Sequence, residues 1–238
     1  MFLMKNFIFL LKLLIKFKNN LMISYYGGKS KIAKHYPAPI HDTIIEPFAG
    51  FAQYSLLYFE KDVILYELYE KVFKIWKYLQ KASIKDIMSL PDAVPGFDLR
   101  TVKTLSEPER WLIGYQGNRG AARPNNIMSK RSTWLKDRTR IANDLYKIKH
   151  WKILQKDAMT MPLHNDVTYF IDPPYTKQSH GYNYRTVDYS KLKGIIDSLN
   201  TQVIVCGNQS DLWTSFKPLI EMQGTNKKHI ECVYLKNC

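Results

Sequence analysis

One stretch constrains this chain more than any other: Val167-Thr168-Tyr169-Phe170-Ile171-Asp172-Pro173-Pro174-Tyr175. The residues up to Ile171 are β-branched or aromatic, and such a run predicts a buried strand. The strand must end at Asp172, because neither proline has a backbone N–H to give to a ladder. Consecutive prolines also keep the backbone extended and stiff. The outcome is a carboxylate, a rigid carbonyl and an aromatic ring held at the C-terminal end of a strand. In an open α/β sheet, ligands bind outside that end.

The chemistry of this clamp is narrow. The Asp172 carboxylate and the Pro173 carbonyl accept hydrogen bonds, and Tyr175 offers a flat π face. A planar heterocycle with an exocyclic amino group satisfies all three, since its NH2 donates twice and its ring stacks. Such stacking is worth about 1–3 kcal/mol per base. Asp-Pro by itself marks no more than a strand-ending turn. An apolar strand running into Asp-Pro-Pro-Tyr argues for a binding site.

The rest of the chain repeats the pattern of strand, acid and helix. Ile44 and Ile45 begin a strand that runs into Glu46-Pro47-Phe48-Ala49-Gly50, and Ala52 to Phe59 reads as a helix. Strand, small-residue turn and helix form half of a nucleotide-type binding unit. A single glycine is not the dinucleotide fingerprint, and Glu46 suits an amine-bearing or cationic ligand better than a phosphate. Val63 to Glu67 is a second strand, followed by a helix over Lys71 to Lys81. Glu67 reads equally well as an acid for ribose hydroxyls and as an ordinary helix-start charge. Trp151 to Asp157 returns to strand, Tyr189 to Leu199 to helix, and Gln202 to Cys206 to strand. The remainder, with Val233 and Tyr234, predicts an antiparallel edge hairpin. Three strands therefore finish in Glu67, Asp157 and Asp172, with Glu46 one step inside the first. Like charges gathered at one sheet edge repel, and a ligand with amines, hydroxyls and a cation resolves that repulsion.

Two loops complete the expected site. Ser24 to Ser30 carries Tyr25, Tyr26 and Lys29; its Gly-Gly-Lys-Ser lacks the upstream glycine of a P-loop, so no nucleoside triphosphate site is expected. Thr176 to Thr186, rich in Tyr and Gly, is placed to close over a substrate. His180 within it reads as a surface or backbone contact rather than a base.

Residues 83–150 break the alternation. They predict helices over Lys85 to Leu90, Glu107 to Tyr115 and about Ser132 to Ile148, with a polar loop through Arg119, Arg123 and Asn125. Lys130, Arg131 and Arg138 follow, with Trp111, Tyr115 and Trp134 interleaved. Most of these tryptophans and charges, taken singly, are core and solvated face. Taken together, basic residues with Asn and Gly in a loop suit phosphate contacts and base-edge readout. The organisation expected is a catalytic domain from 22–82 and 151–238, with 83–150 inserted as a nucleic-acid-contacting subdomain.

Charge supports that partner. The chain of 238 residues carries a formal +14, and a protein this basic commonly binds a polyanion. Residues 1–21 are apolar and basic, but no uninterrupted apolar run is long enough to span a bilayer. A membrane-surface helix is one reading. The preferred one is an extension ahead of a functional start at Met22, and subtracting its four lysines still leaves +10. Cys206, Cys232 and Cys238 form neither a metal-type spacing nor an even disulfide set, which points to a reduced, intracellular protein and no metal.

At this point the motifs resemble a known family, the Dam-like DNA N6-adenine methyltransferases, small phage-type members especially. The matching pieces are Tyr-Tyr-Gly-Gly-Lys at 25–29, Glu-Pro-Phe-Ala-Gly at 46–50, the acids Glu67 and Asp157, and Asp-Pro-Pro-Tyr at 172–175. They occur in the family's order and cover nearly everything after residue 21. The resemblance implies a Rossmann-like α/β sheet of seven strands and S-adenosyl-L-methionine as cofactor. It implies that Tyr25 and Lys29 lie against that cofactor. Glu46, Phe48 and Gly50 would serve its methionine end, Glu67 its ribose and Asp157 its adenine. Asp172, Pro173 and Tyr175 would hold a target adenine flipped out of double-stranded DNA, and methyl transfer would be direct and in line. It further implies a monomer or weak dimer in a bacterial or phage-infected cytoplasm, with restriction-modification a possible setting. The departures are Glu67 for the usual Asp, Ala52 for a second Gly, and Tyr25 for a commoner Trp. Alternatives are a cytosine-N4 methyltransferase, an RNA or protein-amide methyltransferase, where Asn-Pro-Pro-Tyr is more usual, and a catalytically inactive DNA-binding relative.

Overall fold

The computed structural model describes residues 22–23, 29, 31–118, 121–175, 187–211, 213–223 and 228–237. Tyr25, Arg119, residues 1–21 and the 176–186 loop lie outside them. The strands are β1 (Thr43–Glu46), β2 (Asp62–Tyr66), β3 (Lys152–Leu154), β4 (Thr168–Ile171), β5 (Val203–Asn208), β6 (Lys217–Gln223) and β7 (Lys228–Lys236). The α-helices are α1 (Glu70–Lys81), α2 (Ile84–Met88), α3 (Glu107–Gln116), α4 (Trp134–Asp144) and α5 (Tyr189–Ser198).

All seven strands form one sheet in the order β3-β2-β1-β4-β5-β7-β6. β1 to β5 are mutually parallel, and β7 runs antiparallel to both of its neighbours. The parallel part has the doubly wound, Rossmann-like order, which reverses between β1 and β4. β4 and β5 are buried along their whole length, as strands covered on both faces must be.

Side chains alternate across the sheet and feed two cores. Ile44, Leu65, Phe170 and Ile204 face one core together with Trp76 of α1, while Ile45, Tyr169, Ile171 and Val205 face the other with Leu192 and Ile196 of α5. Segment 83–150 packs on the first face. Its Ile87, Leu112, Trp134 and Ile141 belong to the same continuous core as the strands.

Four sequence expectations change. The helix expected over Ala52 to Phe59 is a turn followed by a 3-10 helix, Ser55–Tyr58. Gly50 (φ 48°) and Ala52 (φ 42°) both adopt left-handed backbone there, which stops α-helix from starting. The strand expected to reach Asp157 ends at Leu154, and Asp157 instead caps a 3-10 helix, Ala158–Thr160. The long helix to Ile148 stops at Asp144 and tightens into a 3-10 turn, Leu145–Ile148. The final hairpin has only β6 at the edge, since β7, with Glu231, Cys232 and Val233 buried, inserts next to β5. Among the described residues no helix is long and apolar enough to cross a membrane, and no group of three or more His, Cys, Asp or Glu could hold a metal ion.

Candidate active site

Strand order reverses between β1 and β4, so the chain diverges from their C-terminal ends in opposite directions and leaves a crevice between them. Glu46 ends β1 and Asp172 follows β4, so both sit at that crevice.

On the β1 side the turn is tied down at several points. The Gly50 N–H donates to Glu67 Oε2 at 2.9 Å, and the Gly50 carbonyl accepts from Trp76 Nε1 at 2.8 Å. Glu67 Oε1 accepts the Tyr69 N–H at 2.7 Å, at the start of α1. Glu67 thus joins the turn after β1 to the helix after β2. Glu46 Oε1 accepts the Ser55 N–H at 2.7 Å. Burial pushes the Glu46 carboxyl up to about 8, against the opposing pull of its Ser55 hydrogen bonds. Burial likewise pushes Glu67 up to about 7, although the Tyr69 and Gly50 N–H groups favour its ionised form. Phe48 is half-buried against the second core. Asp157 is exposed beyond β3, where its Oδ1 accepts the Met159 N–H at 2.9 Å.

On the β4 side the clamp is held from below. Lys29 Nζ lies 2.8 Å from Asp172 Oδ1 and 4.8 Å from the centre of the Tyr175 ring. The Tyr175 hydroxyl donates to Glu231 Oε1 at 2.5 Å, and so does the Tyr36 hydroxyl, also at 2.5 Å. Lys29 Nζ is 3.7 Å from the same oxygen. Tyr189 donates its hydroxyl to the Pro174 carbonyl, which pins the diproline to α5. Pro173 is buried, while Asp172 and Tyr175 keep part of their surface open.

This is a compact charge cluster. Burial acting alone would lower the Lys29 ammonium; Asp172 and then Glu231 outweigh it and hold the group protonated well above the lysine range. Burial raises the Asp172 carboxyl above its ordinary value, against the pull of Lys29. Burial also drives both phenols, Tyr36 and Tyr175, far above the tyrosine range, so each is a donor at any ordinary pH.

Sequence reasoning did not pair Lys29 with Asp172, which its ammonium contacts. It missed Glu231 and Tyr36. The available signal for Glu231 was an acid inside the apolar run Ile230-Glu231-Cys232-Val233, where a solvated charge has no place. Tyr36 had no comparable signal.

The basic residues of 83–150 divide by environment. Arg123, Asn125, Lys130 and Arg131 are exposed. The loop bearing Arg123 and Asn125 is fixed by Leu99 N–H to the Asn126 carbonyl at 2.8 Å and Met128 N–H to the Phe97 carbonyl at 3.0 Å. Gly114 of α3 allows that loop to approach, since a Cβ there would lie 2.5 Å from the Asn125 carbonyl oxygen. Arg138 differs: it donates to the Leu90 carbonyl and pairs with Asp92 at 2.7 Å, with its side chain 13% exposed. Its charge joins α4 to the segment after α2.

No protein-family model matches the chain, and no curated protein matches it. Among solved structures it is similar to the proposed methyltransferase yhhF from Escherichia coli, with 10% identity and a TM-score of 0.38 over 82% of this chain and 75% of that one. It is also similar to the proposed methylase HI0767 from Haemophilus influenzae, with 12% identity and a TM-score of 0.35 over 80% of this chain and 85% of that one. The Rossmann-like description of the chain stands on its strand order.

Proposed function

We propose that the chain is an S-adenosylmethionine-dependent DNA methyltransferase acting on the N6 amino group of adenine. The observation that carries this reading is the acceptor pair at the crevice: a strand ending in Asp172-Pro173-Pro174-Tyr175, with the ring fixed through its hydroxyl and Glu46 on the neighbouring strand. The exposed basic residues of 83–150 and the overall +14 support a double-stranded DNA partner. On this reading 83–150 is the target-recognition segment and the rest of the described chain the catalytic part.

The β1 side suits the cofactor. Each oxygen of Glu67 accepts one backbone N–H and has capacity for a second donor. A ribose diol can therefore be taken without breaking the turn. Glu46 and Glu67 are carboxyls that burial holds towards protonation, and a cationic ligand beside them favours their ionised forms. When bound, the cofactor supplies an electrophilic methyl on a sulfonium.

The chain's own residues do the rest. Asp172 and the Pro173 carbonyl accept the two N–H groups of the flipped base, which draws the nitrogen lone pair out of ring conjugation. Tyr175 stacks on the base. The bound sulfonium would supply the methyl for in-line transfer to that nitrogen, its S–C bond giving way to the new N–C bond, and Asp172, whose carboxyl burial raises, would take the proton the nitrogen sheds. Positioning and electrostatics supply most of the catalysis.

The test is to incubate the protein with unmethylated duplex and methyl-labelled S-adenosylmethionine, then digest the DNA to nucleosides. N6-methyladenine is the expected product; N4-methylcytosine would move the target to cytosine, and unlabelled DNA would rule the reading out. In the same assay Asp172→Ala loses transfer but keeps labelled-cofactor binding. Because Lys29 then faces Glu231 alone, stability falls by up to about 3 kcal/mol, read from thermal melts. Wild-type activity in that variant would refute the mechanism.

A further inference from the structure

Lys29 raises a difficulty for any reaction at Asp172, and this inference rests on the amine-methylating reading above. Its ammonium lies 2.8 Å from Asp172 Oδ1, where an incoming amino group must find its acceptor. Methylation also builds positive charge on the attacking nitrogen, and a cation held alongside opposes that charge. Lys29 must therefore ease away from Asp172 when the base arrives. It cannot simply be left alone, since its side chain is 8% exposed and an unpaired buried charge is strongly destabilising.

A second acceptor is already in place. Among the described residues, Glu231 is the only other carboxylate within ion-pair distance of Lys29, at 3.7 Å. Closing that gap to an ordinary charge-assisted contact of about 2.8 Å needs a side-chain shift of only about 1 Å. Glu231 is itself immobilised. It lies on the buried part of β7 opposite Asn208 of β5, with its side chain 3% exposed. The Tyr36 and Tyr175 hydroxyls both donate to its Oε1. Tyr36 is in turn wedged edge-on against Phe170, with ring centres 5.1 Å apart. Among the described residues three further titratable groups face this cluster: the buried Cys206 thiol of β5, which burial pushes up and so keeps neutral, the Glu46 carboxyl of β1 towards Asp172, and the Cys232 thiol of β7 towards Glu231, also raised by burial.

We propose that Glu231 is a positioning residue: it fixes the Tyr175 ring through the phenol and takes over the Lys29 ammonium when an amino-bearing base engages Asp172. The lysine moves between two carboxylates, and the cluster never contains an unpaired buried cation.

Two measurements on the full chain test this. The first needs no catalysis. The Lys29 side chain is titrated by NMR in 13C-lysine-labelled protein, with its signal assigned by loss in Lys29→Met. In Asp172→Asn the ammonium stays protonated above the ordinary lysine range, because Glu231 receives it. In Asp172→Asn/Glu231→Gln it titrates below that range, because burial acts unopposed. A fall below the range in Asp172→Asn alone overturns the proposal, whatever the protein's activity. The second is kinetic. Glu231→Gln keeps an acceptor for both phenols but removes the charge, so kcat for methyl transfer drops on the order of 10²-fold while KM for S-adenosylmethionine is unchanged. In a Lys29→Met background the same substitution has little further effect. Wild-type kcat in Glu231→Gln overturns the proposal. Absence of any transfer by the wild-type protein instead refutes the methyltransferase reading, and the titration still decides the role of Glu231. Should Glu231→Gln fail to fold, the Asp172→Asn titration decides alone.

Discussion

Glu46 illustrates how a site residue and a stable interior conflict. Its carboxyl is buried at the end of β1, where it accepts the Ser55 N–H at 2.7 Å, and burial holds it up at about 8. An acid whose folded value is raised stabilises the fold fully below its unfolded value, near 4.5, and loses that contribution as pH rises through about 8. Glutamine mimics the protonated form and keeps the acceptor. Glu46→Gln is therefore expected to match the wild type at pH 4.5 and to exceed it by about 2 kcal/mol or more at pH 8.5, measured as paired denaturant melts. Equal stability at both pH values would mean the carboxylate is already compensated. The same substitution removes an acid from the proposed cofactor site, so a gain in stability should accompany weaker cofactor binding. At this scale Asp172, Glu46 and Glu67 were legible because each ends a strand visible in local pattern. Lys29 as the partner of Asp172 was not, because nothing near residue 29 records what lies beside it after folding.

The turn between β1 and the Ser55–Tyr58 helix shows the same limit for an element. Strand and Gly were readable, but the two left-handed residues in close succession that keep an α-helix from starting were not. Gly50 takes φ 48° freely. Ala52 takes φ 42° at a cost of roughly 1 kcal/mol. It is held there by its N–H to the Ala49 carbonyl at 2.7 Å and by the Leu56 N–H to its own carbonyl at 3.0 Å. Ala52→Gly relieves the strain and gives back part of the gain through a freer unfolded chain. The net expectation is a melting temperature higher by about 1–3 °C; a lower one would mean that the Ala52 methyl's packing outweighs the backbone strain. The amphipathic helices α1 and α5 were readable because an apolar stripe at helical spacing is a local signal.

For the whole molecule the informative quantity is the distribution of charge. Exposed Lys130 and Arg131 and paired Arg138 look alike in sequence, yet only the first two present their charge to solvent. If the exposed pair contacts phosphates, Lys130→Glu/Arg131→Glu should reduce the slope of log affinity against log salt for duplex DNA by about one per lost contact. Binding would be followed by fluorescence anisotropy across a salt series. Arg138→Ala should leave that slope unchanged and lower stability instead, since the Leu90 carbonyl and Asp92 lose their partner. An unchanged slope in the double variant would remove Lys130 and Arg131 from the interface.

By itself the sequence determined where β1, β2 and β4 end, that acids sit at those three ends, and that a rigid diproline carries an aromatic ring; these follow from periodicity and backbone chemistry over a few residues. Which of those ends become neighbours is a different matter. The reversal of strand order between β1 and β4 and the insertion of β7 beside β5 depend on how two cores close over both faces of one sheet. That closure brings Lys29, Asp172 and Glu231 within reach of one another from three distant parts of the chain. Only the tertiary structure decided it, because burying an ammonium needs carboxylates around it and no local pattern states which ones they are.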